Sequence, residues 1–154
     1  KAPATFDWPT SEVTTYEAIV ENYLALKDAL VNDQKANKRV KNLLTELNQI
    51  DMGAFSDEAH VKWMDYREIL KEQAEAILSA EKIGTQRKHF IILSDAMIEL
   101  VKSFSAPGKK LYLQFCPMAN DDQGAFWLSK EQEIRNPYYG DMMLTCGEVR
   151  EEIK

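Results

Sequence analysis

The sequence predicts a mainly α protein, an up-and-down antiparallel helical bundle carrying a small β-hairpin and turn-rich lobe at its C-terminal end. Three observations lead there. Apolar residues recur at helical spacing in successive stretches between about residues 13 and 105. The connections between those stretches are short, which favours antiparallel neighbours. Beyond Gly108 the pattern gives way to brief aromatic and aliphatic runs separated by Asn, Asp, Gly and Pro, the composition of strands and turns. A chain of 154 residues can bury a continuous core without a staple, so residues 1–154 are read as a single domain, 13–105 as the bundle and 106–154 as the lobe.

Lys1 to Thr10, with two prolines and no periodicity, reads as a tail or extended lead-in. Thr14 followed by Glu17 has the spacing of a capping box, in which hydroxyl and carboxylate satisfy orphan backbone donors at a helix start. Tyr16, Ile19, Val20, Tyr23, Leu24 and Leu30 then trace one apolar stripe, and the helix is expected to end near Asn32 to Gln34. Ala36, Val40, Leu43, Leu44, Leu47 and Ile50 give a second stripe, stopped by Asp51-Met52-Gly53; the two stretches could also be one bent helix. Ser56, with Asp57 and Glu58 behind it, suits an N-cap and the positive end of a helix dipole. The helix it opens has Ala59, Trp63, Tyr66, Leu70, Ala74, Ile77 and Leu78 as its core face, and Ile83-Gly84-Thr85 is expected to break and recap the chain. Phe90, Ile91, Leu93, Met97, Leu100, Val101 and Phe104 mark a last long helix, ended by Pro107-Gly108. Leu111 to Phe115 and Ala125 to Leu128 are expected to pair as a hairpin around the loop Asn120 to Gly124. A turn-rich segment punctuated by Asn136-Pro137 and Gly140 leads to a short final helix or tail near Val149 to Lys154.

The formal charge of −6 and the lack of a basic stripe argue against a nucleic-acid binder, since neutralising phosphates needs a positive surface. Lys35 to Lys41 reads as a polar helix face. No apolar run reaches the roughly 18 residues that a membrane-spanning helix needs. The first residue, Lys1, suggests a processed or trimmed N-terminus. A glycine-rich phosphate loop, a nucleophile elbow and a His-Glu-x-x-His zinc motif are all missing, and no Glu-x-x-His pairs of the di-iron bundles occur. Asp57-Glu58-Ala59-His60 spells a helicase tetrapeptide, but in a helix first turn it is read as capping. The expectation is therefore a protein that is not an enzyme.

One cluster stands out. Cys116-Pro117-Met118 and Met142, Met143 and Cys146 put two thiols and three thioethers in the last quarter of the chain, and soft sulfur donors select monovalent copper and similar ions. The residue before a proline is pushed toward extended backbone, where positions i and i+2 point the same way, so Cys116 and Met118 could bind side by side. Met143 and Cys146 would share a face across one helical turn. The candidate metal ligands are thus Cys116, Met118, Met143 and Cys146, for Cu(I) or Ag(I), with His89 as a further candidate. Other readings stay open: a disulfide closing a loop of about 30 residues, unrelated buried thiols, or a reactive cysteine nucleophile with a depressed pKa. Methionines also fill irregular cores, His89 could simply be hydrogen-bonded on a helix face, and Tyr112, Phe115, Phe126, Trp127, Tyr138 and Tyr139 are expected to pack the hairpin on the bundle.

Cys116-Pro117-Met118-Ala119, Trp127-Leu128-Ser129, Ile134 to Gly140 and Met143-Leu144-Thr145-Cys146-Gly147, with Tyr23 to Val31 and Arg87 to Ser94 upstream, resemble a bacterial family of uncharacterised domains. Members occur alone as exported proteins or appended to CusB-like membrane-fusion adaptors of heavy-metal efflux pumps. The resemblance implies an extracytoplasmic location, copper or silver as cargo for sequestration, delivery or efflux support, and an efflux adaptor or other envelope protein as partner. It also implies that the family's Cys-Pro-Met and Met-Leu-x-Cys-Gly positions, here Cys116, Met118, Met143 and Cys146, form the site.

Overall fold

The computed structural model describes residues 6–104 and 108–153. The first helix, α1 (Val13–Val31), is entered through a 3-10 turn at Thr10–Glu12. That turn already delivers the backbone into helical geometry, so Thr14 lies inside the helix and the expected capping box does not form; Glu12 is the N-cap and no side chain caps it. The Glu12 carboxylate instead accepts the Asp51 backbone N–H at 2.8 Å, joining the start of the first helix to the end of the second. Asp33, with φ +58, reverses the chain after α1, and α2 (Asn37–Gln49) is a separate helix rather than the continuation of a bent one.

Ser56 stands at the N-cap of α3 (Asp57–Ser79) without a side-chain bond, and Asp57 and Glu58 occupy its first turn. The tetrapeptide occupies that first turn, as expected, but no side chain caps the helix, and His60 Nδ1 pairs instead with the Met52 carbonyl oxygen at 3.1 Å. The chain breaks at Ala80 to Lys82, not at Ile83-Gly84-Thr85, because Ala80 and Lys82 take the extended backbone and the N–H groups of Thr85 and Gln86 already bond to the Lys82 carbonyl. The last helix, α4 (Ile83–Ser103), gives way to extended backbone at Phe104. Its expected stop at Pro107 lies outside the described residues, as do Lys1 to Thr5 of the lead-in.

Consecutive helices pack as neighbours, α1 on α2, α2 on α3 and α3 on α4, and the stripes read from the sequence supply the core: Tyr16, Ile19, Tyr23, Leu30, Val40, Leu43, Leu47, Trp63, Leu70, Phe90, Leu93 and Leu100 are all buried. The lead-in is more than a tail. Trp8 stacks on Tyr16 with ring centroids 3.9 Å apart and meets Trp63 and Phe104 edge-on, while the Phe6 N–H bonds to the Ser103 carbonyl at 3.0 Å. A large ring that can leave water is drawn into the bundle even from an aperiodic segment.

In the lobe, β1 (Leu111–Cys116) and β2 (Ala125–Ser129) form the expected antiparallel hairpin, with Cys116 opposite Ala125 and Gln114 opposite Trp127. Its connection uses the left-handed conformation at Asn120, Asp121 and Asp122, which Asn and Asp tolerate better than most residues. The final segment is neither helix nor tail: β3 (Glu148–Ile153) adds to the free edge of β1, giving the order β2-β1-β3. Ile153 is buried opposite Leu111, and the Arg150 guanidinium lies 4.1 Å over the Phe115 ring. Helix α4 packs against β2, and the segment between β2 and β3, which contains a 3-10 turn at Gly140–Met142, is tied to β1 by Gln114 donating to the Glu131 carbonyl at 2.9 Å.

Candidate functional site

The two cysteines, thirty residues apart in sequence, meet. Cys116 ends β1 and is fully buried; Cys146 lies in the turn before β3 and is half-buried; their sulfurs are 2.8 Å apart with no bond between them. That is closer than the usual 3.5–4.0 Å contact between non-bonded heavy atoms. The methionines stand differently. After Cys116 the chain turns at once, the Ala119 N–H reaching back to the Cys116 carbonyl at 3.4 Å, so Cys116 and Met118 do not continue as an extended pair. Met118 presents an exposed side chain. Met143 is half-buried, and the Cys146 N–H bonds to its carbonyl at 3.1 Å, an isolated turn rather than a turn of helix. Met142 is exposed.

What holds these pieces is the segment Asn136-Pro137-Tyr138-Tyr139-Gly140, which the sequence marked only as a turn. Fully buried Asn136 donates to the Cys146 carbonyl at 2.8 Å and accepts from the N–H groups of Tyr138 and Tyr139 at 2.7 and 3.2 Å. The Tyr138 hydroxyl donates to the Phe126 carbonyl and the Tyr139 hydroxyl to the Met118 carbonyl, both at 2.6 Å. One segment thereby braces the strand β2, the turn after Cys116 and the turn holding Cys146. Arg87 of α4 ties this brace to the bundle, donating to the Pro137 carbonyl at 2.8 Å, the Leu30 carbonyl at 2.7 Å and the Asp33 carboxylate at 2.8 Å. Gly140, at φ +55, lies so close that a Cβ there would meet Asp33 Oδ1 at 2.2 Å. The only sequence signal for this role was the density of Asn, Pro, Tyr and Gly; the partners lie up to 108 positions apart, as between Asp141 and Asp33.

The electrostatics favour the protonated form of Cys146. Desolvation, then the hydrogen bond and charge of Cys116, push the Cys146 thiol up to about 11, although the Met118 N–H acts the other way. A nucleophilic cysteine needs the opposite shift, toward thiolate at neutral pH. Desolvation and the nearby sulfurs likewise raise Tyr139 above its usual range. His89 stays on the bundle, paired through Nδ1 to the Gln73 side-chain oxygen at 3.0 Å across the α3–α4 contact. A shallow cleft of about 220 Å³ opens beside Tyr138 and Tyr139, lined also by Arg87, Lys88 and Asp121.

Two thiolates on one four-coordinate ion, with metal–sulfur bonds of about 2.3 Å, stand about 3.8 Å apart. The pair would therefore open by about 1 Å to take an ion, from the present 2.8 Å. Among the described residues no group of three or more His, Cys, Asp and Glu side chains is placed to hold a metal, so a hard-ion site with several carboxylates is not what surrounds the thiols.

A family model described as a protein of unknown function (DUF3347) matches residues 19–109, which is most of the bundle and stops short of both cysteines. No curated protein matches the chain. No solved structure matches it.

Proposed function

We propose, from the premise that this chain belongs to the DUF3347 family of proteins of unknown function, that its C-terminal lobe takes up a soft monovalent ion, Cu(I) or Ag(I), in an extracytoplasmic setting and holds it for sequestration, delivery or efflux support. The observation that carries this reading is the convergence of Cys116 and Cys146 on one point. Two sulfurs would supply charge-neutralising thiolates to a soft cation, and Met118 and Met143, two and three positions from a cysteine in sequence, are the thioethers proposed to complete its coordination. Exposed Met118 would meet an arriving ion first. The likeness of the Cys-Pro-Met and Met-Leu-x-Cys-Gly strings to domains found beside CusB-like adaptors supports copper or silver as the cargo and an efflux adaptor or other envelope protein as the recipient.

Binding would displace the proton that burial keeps on Cys146, so uptake weakens as pH falls. The test is native mass spectrometry of anaerobically reduced protein titrated with Ag(I). We expect one ion per chain for wild type, none for Cys146→Ser, and about tenfold weaker retention for Met118→Leu or Met143→Leu, a loss of about 1.4 kcal/mol each. A folded, reduced wild type that takes no silver would overturn the reading.

A second reading has its own observation. The sulfurs are nearer to each other than an ion would leave them, and a disulfide here would close a loop of about 30 residues and stabilise the fold by about 3–4 kcal/mol. The protein would then be a disulfide-stapled interaction module with no metal. A two-hydrogen mass deficit in unreduced protein, together with no silver uptake after reduction, would favour it.

A further inference from the structure

A cystine bond is about 2.05 Å long, and two thiolates sharing an ion stand about 3.8 Å apart. Cys116 and Cys146 stand with their sulfurs adjacent, within side-chain reach of either arrangement. Their backbone is pinned on both sides: Cys116 sits in the β1–β2 ladder opposite Ala125, and the Cys146 carbonyl is held by Asn136 at 2.8 Å. Moving to either arrangement therefore asks for side-chain adjustment and no rearrangement of the lobe. Cys116 is fully buried and Cys146 is half-buried, so an incoming disulfide meets Cys146 first.

Resting on the metal reading above, we propose that the Cys116–Cys146 pair is also a redox gate on its own site: joined as a disulfide it takes no ion, and loaded with an ion it resists oxidation. The oxidant is a small disulfide such as oxidised glutathione. Cys146, giving up its proton, attacks one sulfur of that disulfide and expels the other as a thiol. Cys116, giving up its proton, then attacks the Cys146 sulfur of the mixed disulfide and expels the second thiol. Two protein thiols lose two protons and two electrons, one S–S bond forms in the protein, and the oxidant's S–S bond becomes two thiols. A bound ion occupies the same sulfur electron pairs, so the first attack waits for its release.

The experiment uses the full chain and Ag(I), which brings no redox chemistry of its own at this site. Reduced protein should retain one silver; protein treated with oxidised glutathione should lose two hydrogens, retain none, and regain uptake on reduction. Silver-loaded protein should lose those hydrogens at least about tenfold more slowly than metal-free protein. Cys146→Ser, checked for native circular dichroism, should show neither the two-hydrogen loss nor uptake. If the oxidised form still retains silver, or if no intramolecular disulfide forms while the reduced protein binds silver, the gate is wrong and the metal reading stands. If the reduced protein retains no silver, both fall.

Discussion

A thiol surrounded by protein instead of water keeps its proton, because the anion loses more solvation than the neutral group. For Cys146 this raises the pKa from 9.0 to about 11. The unfolded chain gives up that proton at a lower pH than the folded one, so the folded state binds more protons between the two values. The stability this contributes is complete below pH 9.0 and is lost as pH rises toward about 11. Reduced protein should thus show a steeper fall in thermal midpoint across that window than Cys146→Ser, in which burial still raises the Tyr16 and Tyr23 hydroxyls and leaves a smaller fall above pH 10; an equal fall in both proteins would show that Cys146 is not responsible. Iodoacetamide should modify Cys146 about tenfold faster for each pH unit gained between 7 and 10, with no plateau near the usual 8.5. The neighbouring residue carries a different constraint. Gly147 has φ +144, and a Cβ there would come within 2.9 Å of the Phe115 carbonyl oxygen and 3.1 Å of the Trp127 ring. Gly147→Ala should cost about 1–3 kcal/mol in urea unfolding and shift the Trp127 environment.

At the scale of elements, the helices follow their sequence periods because each needs only its own backbone bonds and one apolar stripe. The two segments that behaved otherwise lack that autonomy. The lead-in becomes part of the core through Trp8, whose ring sits among Tyr16, Phe55, Trp63 and Phe104. Trp8→Ala should destabilise the protein by about 3–5 kcal/mol by equilibrium unfolding, whereas a mere tail would give no measurable change. The last segment, Glu148 to Ile153, contains four charged residues and little apolar pattern, so its own residues do not select a strand. It becomes β3 because β1 otherwise presents an unpaired edge. The capping box at Thr14 failed for a related reason: its spacing was right, but the helix had already begun at Val13.

Over the whole molecule, the lobe is fixed to the bundle by Arg87, which reaches the end of α1, the turn at Asp33 and the carbonyl of Pro137 at once. Asp33 is correspondingly held below its usual pKa, chiefly by its hydrogen bonds from Arg87 and the Asp141 N–H. Arg87→Met keeps much of the apolar stem and removes all three bonds. It should lower stability by about 2–4 kcal/mol, and hydrogen exchange should speed up first in residues 136–146, before the bundle helices open. Uniform acceleration throughout the chain would mean that Arg87 is not a specific tether of the lobe. Because Asn136 carries the same brace onward to Cys146, this variant should also loosen the dithiol and accelerate Cys146 alkylation.

The sequence by itself determined the helical bundle, the hairpin and the central residues of each apolar stripe, because periodicity and turn chemistry are written in neighbouring residues; Leu26, Phe55 and Ile98, off those stripes, are core as well. Cysteine and methionine identity marked the candidate site for the same local reason. The tertiary structure alone decided that Cys116 and Cys146 meet, that Trp8 is core, that β3 is a strand and that Asn136 and Arg87 hold the segment around the two cysteines. Each of these depends on partners dozens of positions away, and the free energy that selects them comes from burial and hydrogen bonds that exist only once the bundle and the sheet have come together.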